Sequence, residues 1–221
     1  MRRIRRRSSR VGSPGNTVIA SVSVFALCCG LWLLGEGAAT NVPPQPSAAQ
    51  AHSAPAGYDS GRPFGQAAAL PPSPPDRIRI PAIGVDAPLT GLGLTSTGSL
   101  DVPPPERTNL AGWYEAGTTP GETGTAVVAG HVDNADGPAV FYSLGALRKG
   151  GTVEVDRRDG STAVFTVHAV AVYDARDFPD EQVYGAANRP ELRIITCGGG
   201  YSRTTGYRGN VVVYAHLTSS R

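Results

Sequence analysis

The chain has 221 residues, enough for one domain of ordinary size together with additional segments. Its formal net charge of +2 is unevenly distributed, because six arginines fall within residues 1–10 whereas residues 76–221 carry more acidic than basic side chains. This distribution argues against a nucleic-acid-binding domain, which would need a basic face on its folded part.

The N-terminal region has the pattern of a membrane anchor. Residues 1–16 form a basic head, and residues 17–34 contain an apolar run without a charged side chain. By the positive-inside rule the head is cytoplasmic and residues 17–34 are a transmembrane signal anchor. The alternative is a cleaved signal peptide, with small residues at Ala38 and Ala39. Both interpretations place the rest of the chain outside the cytoplasm.

Residues 35–75 are rich in Ala, Pro, Ser and Gln and contain few large apolar side chains. Such a segment has too little apolar surface to bury, so the composition predicts an unstructured spacer. Its prolines favour extended conformations, which would give the following domain reach away from the membrane.

Residues 76–221 form the predicted folded domain, and their pattern indicates mainly β-structure. Short runs of alternating or β-branched apolar residues predict strands, with a hairpin turn at 158–160. The predicted strands are 77–81, 83–89, 125–129, 152–156, 163–172, 192–197 and 210–216. Residues 141–149 have helical spacing, and residues 198–209 are predicted to be a mobile loop. Many short strands and one short helix favour a closed or nearly closed β-barrel.

Cys197 is the one cysteine in the predicted exported domain, since Cys28 and Cys29 lie in the apolar run. It ends a predicted strand and precedes three glycines, which would hold the sulfur on a rigid element with one side open. At an ordinary pKa little of a thiol is ionised at neutral pH, so a nucleophilic cysteine needs a nearby base or cation. The alternative interpretation is that Cys197 has no chemical role and is buried as a small apolar side chain.

Two other residue types supply candidate partners for the thiol. His131 ends the run TAVVAGH and follows a glycine, whereas His168 is predicted on the outer face of a strand and His216 as a solvated residue near a strand end. Two arginines are candidates for the cation near the thiol: Arg203, in the middle of the predicted loop, and Arg208, which directly precedes the last predicted strand. A strand-held guanidinium can donate two hydrogen bonds to a substrate carbonyl or an oxyanion, which favours Arg208.

Three segments of the sequence resemble, in order and spacing, the signature motifs of sortases. They are AGH at 129–131, ITC at 195–197 and YRGNVVVYA at 207–215. The wider pattern is most similar to class F or class E sortases of high-GC Gram-positive bacteria. The resemblance covers about residues 76–218 and implies an eight-stranded sortase-type β-barrel with one or two short helices.

The resemblance also implies a set of site residues. Cys197, His131 and Arg208 match the catalytic residues of the family, and Thr196 matches the threonine of its TLxTC motif, with isoleucine here in place of the usual leucine. The predicted substrate-binding residues are Thr196, Gly198 and Ala129. No metal or organic cofactor is expected for this type of acyl transfer.

The function implied is that of a cysteine transpeptidase in the cell membrane, with a single span and an extracellular catalytic domain. It would cleave an LPxTG-like sorting signal of secreted surface proteins between Thr and Gly, and transfer the acyl group to a cell-wall precursor or pilin amine. Two alternatives are an L,D-transpeptidase-like cross-linking enzyme, whose SHGC-type motif is missing here, and a non-enzymatic surface β-module. The sequence also lacks the GxGxxG, P-loop, paired CxxC and HExxH patterns of common nucleotide and zinc sites.

Overall fold

A computed structural model of the protein describes residues 42–51 and 67–221. The predicted basic head and signal anchor, residues 1–34, lie outside these ranges. Within the two described ranges, no helix is both long enough and apolar enough to cross a membrane.

Strands make up most of the regular structure between residues 67 and 221. They are β1 (Pro75–Ile80), β2 (Val85–Leu92), β3 (Ala111–Tyr114), β4 (Gly124–Gly130), β5 (Asp133–Asn134), β6 (Gly137–Pro138), β7 (Thr152–Arg157), β8 (Thr162–Asp174), β9 (Pro190–Ser202) and β10 (Gly206–Ser220). The helical segments are α1 (Asp180–Tyr184) and the 3-10 turns Ala48–Gln50, Pro81–Ile83 and Leu144–Ala146.

Eight of these strands close into a barrel in the order β1-β2-β3-β4-β9-β10-β8-β7, with β7 pairing back to β1. The pairs β2–β3 and β4–β9 are parallel, and the other pairs in the barrel are antiparallel. The predicted closed eight-stranded barrel is therefore confirmed.

The barrel interior is filled by the inward-facing half of each strand. Along β8, Phe165 and Val167 point into the core, and along β9 Leu192 and Ile194 do so. This alternation follows from the two-residue period of a strand, which sends successive side chains to opposite faces. The outer faces of β4, β9 and β10 are free for other contacts as a result.

A second apolar cluster covers part of that outer side. It joins Val127 of β4, Ile195 of β9 and Val212 of β10 to Val183 of α1. The connection between β8 and β9, which contains α1, therefore packs over one part of this outer face. The remaining part, near the end of β4, carries the polar residues described below.

Two local predictions differ from the structure in the extent of regular elements. The predicted helix at 141–149 is reduced to the 3-10 turn Leu144–Ala146, because Gly145 and the following Lys149–Gly151 segment do not continue the helix. The predicted loop at 198–209 is largely a hairpin, because β9 continues to Ser202 and β10 begins at Gly206.

The two other domain histidines lie next to each other on the outer side of the barrel. His168 is on the outer face of β8, as predicted, since its neighbours Val167 and Ala169 are buried and Val167 belongs to the interior cluster. The prediction for His216 is wrong: its exposed fraction is 4%, because β10 extends past it to Ser220 and His168 packs against its ring.

The segment predicted as an unstructured spacer contains two described stretches that contact the barrel. In residues 67–75, the Leu70 backbone N–H donates to the Gly121 carbonyl at 2.9 Å, and the Ser73 N–H donates to the Thr119 hydroxyl at 3.1 Å. Residues 42–51 belong to the same compact unit as the barrel. Backbone groups and prolines can dock without large apolar side chains, which is why composition alone did not indicate these contacts.

Candidate active site

The parallel pairing of β4 with β9 brings His131, the residue after β4, and Cys197, within β9, to equivalent positions. Pairing of the two strands runs as far as Ala129 with Ile195, and two residues farther along each strand reaches His131 and Cys197. Neighbouring strands lie about 4.8 Å apart, and residues two apart share a face. The backbone positions of Cys197 and His131 therefore lie beside each other, just beyond the last paired residues of the two strands.

A side-chain hydrogen bond fixes these two strand ends to each other. The Thr196 hydroxyl donates to the Gly130 carbonyl oxygen at 2.8 Å, and the exposed fraction of Thr196 is 4%. Thr196 thus holds together the residues that immediately precede Cys197 and His131. Its hydroxyl faces the neighbouring strand, so the predicted contact with substrate would have to use its backbone.

Cys197 is an exposed free cysteine at the edge of the barrel. Partial desolvation raises the pKa of its thiol above the ordinary value, and the nearby carboxylate of Asp133 raises it further. Both effects disfavour the thiolate. The sulfur therefore needs a base at the moment of attack.

His131 is half-buried and held by the connection that leads from β2 to β3. Its Nε2 lies 2.7 Å from the carbonyl oxygen of Pro103. A carbonyl oxygen only accepts hydrogen bonds, so Nε2 carries a proton in this contact. In the neutral ring Nδ1 is then unprotonated, which leaves Nδ1 as the atom that can take a proton.

Arg208 lies on the other neighbour of β9, at a bulge between Tyr207 and Gly209. A side chain at Gly209 would overlap the Tyr173 carbonyl, and the Arg208 carbonyl accepts the Ala175 N–H at 2.9 Å, so the backbone here is fixed. The exposed guanidinium lies over Gly200, with Nη2 only 3.0 Å from where a Cβ at that glycine would stand.

The alternative cation, Arg203, lies in the exposed turn between β9 and β10. Its backbone has no strand partner, whereas Arg208 is held within β10. Gly200 has a φ of 90°, a left-handed conformation that a side chain would strain. Glycine at this position therefore keeps the surface under the Arg208 guanidinium open.

Gly198 and Ala129, the other predicted substrate-binding residues, flank this region. Gly198 is buried and pairs with Gly209, and a Cβ on it would lie 2.7 Å from a methyl of Val211. Ala129 has an exposed fraction of 7% and precedes Gly130. Both are small residues at places where a larger side chain would disturb the strand ends.

Sequence reasoning missed three polar residues next to Cys197. The Tyr207 hydroxyl donates a short hydrogen bond to the Asp133 carboxylate, and the pKa of Tyr207 is raised by burial and by this partner. Asn210 pairs directly with Cys197 across β9 and β10. The available signals were two sequence positions: Asp133 lies two residues after His131, and Tyr207 is next to Arg208. Tyrosine and aspartate are common at such positions, so neither residue was singled out.

The arrangement can perform nucleophilic acyl transfer. It places a thiol, an imidazole with a free Nδ1 and a guanidinium on three adjacent strands around one exposed edge. A thiol attacks a carbonyl when a base removes its proton, and a guanidinium stabilises the oxyanion that forms. Among the described residues, no group of three or more His, Cys, Asp or Glu side chains is arranged to hold a metal ion.

Comparison with known proteins identifies the family. The sortase domain family matches residues 78–218, more than half of the chain. The SrtA sortase from Actinomyces oris has 18% sequence identity and a TM-score of 0.53, over 71% of this chain and 89% of that chain. A lid mutant of sortase A from Corynebacterium diphtheriae has 21% identity and a TM-score of 0.50, over 68% and 73%.

At these identities the likeness to solved structures is one of fold, and no curated protein matches the sequence significantly. The family match rests on the same stretch of chain that forms the closed barrel and carries the candidate site. This chain belongs to the sortase family of cysteine transpeptidases.

Proposed function

We propose that this sortase cleaves an LPxTG-like sorting signal between Thr and Gly, with Cys197 as nucleophile, His131 as proton-transfer residue and Arg208 as oxyanion stabiliser. The acceptor is an amine of a cell-wall precursor or of a pilin. The enzyme acts at the outer surface of the cell membrane, anchored by residues 17–34, and belongs with the class F or class E sortases.

One observation carries this proposal: the candidate nucleophile and base stand at equivalent positions of two parallel strands that a buried side-chain hydrogen bond fixes together. Catalysis by positioned groups requires such fixed geometry, because small displacements of a reacting atom lower the rate strongly. The same edge is exposed, so an extended peptide can reach the sulfur.

The first half-reaction begins with the neutral thiol of Cys197. Nδ1 of His131 takes the thiol proton as the sulfur attacks the Thr carbonyl carbon, and the C=O electron pair becomes an oxyanion that the Arg208 guanidinium stabilises. The oxyanion then collapses, the C–N bond to Gly breaks, and the imidazolium returns its proton to the leaving amine. The product is a thioester on Cys197 and a free Gly-terminated fragment.

In the second half-reaction a neutral acceptor amine attacks the thioester carbonyl. His131 accepts the proton of the attacking nitrogen and gives it to the departing sulfur, so an amide forms and the thiol is regenerated. Water can replace the amine, which turns the same intermediate into hydrolysis. No step requires an oxidant, a reductant or a metal.

Trapping the acyl-enzyme tests this proposal. The full chain is incubated with a panel of LPxTG and LAxTG peptides, quenched in acid and analysed by intact and peptide-level mass spectrometry. We expect the acyl fragment on Cys197, and no adduct in the Cys197→Ala and His131→Ala variants. Cys28→Ala and Cys29→Ala are matched controls and should keep the adduct. Cleavage of any panel peptide by the Cys197→Ala variant would contradict the proposal.

A further inference from the structure

A hydrogen bond between Asp133 and Tyr207 connects the two neighbours of the strand that carries Cys197. Asp133 lies two residues after His131, in the segment that follows β4, and Tyr207 lies on β10. In the barrel, β9 stands between β4 and β10. The Tyr207 hydroxyl donates to Oδ2 of the Asp133 carboxylate, so this contact joins the chain after β4 to β10 across β9.

The Asp133 carboxylate also acts on the candidate nucleophile through space. After desolvation, it is the second cause that raises the pKa of the Cys197 thiol, and the sulfur in turn contributes to the raised pKa of Tyr207. A charge shifts the pKa of another group in this way only when the two lie close together. The carboxylate, the phenol and the sulfur therefore face one region of the site.

The position of this carboxylate disfavours the first half-reaction, because attack on the sorting signal needs the thiolate. Asp133 is half-buried, and in the described part of the chain no basic side chain forms an ion pair with it. Tyr207 is bonded to Oδ2, and no donor among the described residues reaches Oδ1. Asp133 is therefore available to a cation that comes from outside the protein.

We propose that Asp133, oriented by Tyr207, binds the ammonium group of the acceptor and thereby selects a cationic amine for the second half-reaction. This inference rests on the proposed function and names the charge state in which the acceptor is recognised. Lysine side chains and α-amino groups are largely protonated at neutral pH. A carboxylate with one oxygen free can accept a hydrogen bond from such a group, and charged hydrogen bonds are stronger than neutral ones.

Binding and attack use different protonation states of the acceptor nitrogen. An ammonium ion has no lone pair, so one of its protons leaves to solvent water before the nitrogen attacks the thioester. A remaining N–H stays bonded to Asp133 while the C–N bond forms and the C–S bond breaks, and His131 transfers a proton from the nitrogen to the sulfur. Water carries no charge and gains little from the carboxylate. Asp133 should therefore increase the share of thioester that becomes amide.

The partition of the thioester tests this proposal. The full chain receives the panel peptide that it acylates fastest together with Nα-acetyl-lysine amide at pH 7, and mass spectrometry quantifies the amide and the hydrolysed acid. Their ratio is set after the thioester forms, so a change in thiol reactivity does not alter it. Asp133→Asn should raise the acceptor concentration that gives equal products by about three- to thirtyfold, the range for one partly exposed charged hydrogen bond. Asp133→Glu restores the charge and should recover part of this loss.

Hydroxylamine distinguishes the recognition of charge from a change in the shape of the site. This nucleophile is largely neutral at pH 7, so its product ratio should be the same in Asp133→Asn and in the unmodified enzyme. Asp136→Asn is the matched control, because it removes the same charge from the exposed turn between β5 and β6 and should leave both ratios unchanged. Tyr207→Phe removes the hydrogen bond and keeps the carboxylate, so the preference for lysine amide should persist.

The outcomes separate this inference from the proposed function. An unchanged lysine-amide ratio in Asp133→Asn would overturn the inference, and so would an equal loss with both nucleophiles, because a displaced site would then explain it. A loss in Tyr207→Phe as large as that in Asp133→Asn would also overturn it, since the hydrogen bond would matter and not the charge. If the unmodified chain forms neither thioester, amide nor acid, the proposed function fails and this inference fails with it.

Discussion

The Thr196 hydroxyl donates to the Gly130 carbonyl oxygen at 2.8 Å, and each of these residues immediately precedes a candidate catalytic residue. Because β4 and β9 pair only as far as Ala129 with Ile195, this bond is what continues the contact of the two strands to their ends. The Thr196 hydroxyl therefore helps to position the residues that carry the sulfur and the imidazole, together with the contact of His131 Nε2 with the Pro103 carbonyl.

Thr196→Val removes that hydroxyl and nearly preserves the side-chain shape. The carbonyl of the buried Gly130 loses this donor, so the free energy of unfolding should fall by about 1–3 kcal/mol. The strand ends should also separate slightly and turnover should fall by roughly 10- to 100-fold, since catalysis is sensitive to small displacements. Thr196→Ser keeps the donor and should stay near the unmodified enzyme. Equal turnover of the Val and Ser variants would show that the bond has no positioning role.

Asp133→Asn should make Cys197 more reactive toward a small alkylating reagent. The Asp133 carboxylate raises the pKa of the Cys197 thiol, after the larger effect of desolvation, so removing the charge lowers that pKa. The alkylation rate should reach its half-maximum at a lower pH, and the rate at pH 7 should rise. The measurement is the pH dependence of iodoacetamide labelling followed by mass spectrometry.

Tyr207→Phe is the matched control for that experiment. It removes the hydrogen bond to Asp133 but keeps the carboxylate, so the labelling curve of Cys197 should not move to lower pH. A shift to lower pH in both variants would mean that the hydrogen bond, and not the charge, sets the thiol pKa.

Arg208→Lys should separate charge from geometry at the proposed oxyanion site. Lysine keeps the positive charge but cannot donate two parallel hydrogen bonds as a guanidinium does. If Arg208 stabilises the oxyanion, kcat/KM for the sorting peptide should fall by about 10² or more. Arg203→Lys, in the exposed turn, is the control and should retain turnover. The reverse ranking of the two variants would assign the role to Arg203.

Most barrel strands could be predicted from sequence because their apolar residues alternate or are β-branched. The missed barrel strand, β3, reads Ala-Gly-Trp-Tyr, four residues without alternation and with a glycine, so its identity depends on partners on both sides. The hairpin formed by β9 and β10 was underestimated for a related reason. Its Gly199 and Gly200 have positive φ angles within the strand, and local composition cannot distinguish a glycine bulge from a loop.

The sequence indicated those residues of the candidate site whose chemical type stands at a recognisable position relative to a predicted strand. Patterns in the sequence placed Cys197 and His131 at strand ends and Arg208 before the last strand. His131 does follow the end of β4, whereas β9 continues past Cys197 and β10 already includes Arg208. The contact of Gln45 with Gly199 joins residues far apart in the chain, so no local pattern indicates it. His216 was placed in solvent because its burial depends on His168 from another strand.

His168 should make the domain less stable in mild acid. Its ring lies 5.5 Å from that of His216 and 6.2 Å from that of Tyr214, on the outer side of the barrel. Burial lowers the pKa of His168 from 6.5 to about 4, and the nearby Glu191 carboxylate only partly opposes this effect. His216, Arg193 and Arg189 are the positive or ionisable groups that also face the ring and lower its pKa.

The direction of the pH effect follows from proton uptake. Between pH 6.5 and about 4 the unfolded chain binds a proton at His168 that the folded protein does not. The stabilisation is therefore present above pH 6.5 and is lost as the pH falls toward 4, by at most about 3 kcal/mol. The measurement is urea unfolding at several pH values on the unmodified chain and on His168→Gln, since paired carboxylates also titrate in acid and the difference between the two proteins isolates the histidine. Parallel stability curves for the two proteins from pH 7 to pH 4 would contradict the prediction, because glutamine cannot take up the proton that drives the loss.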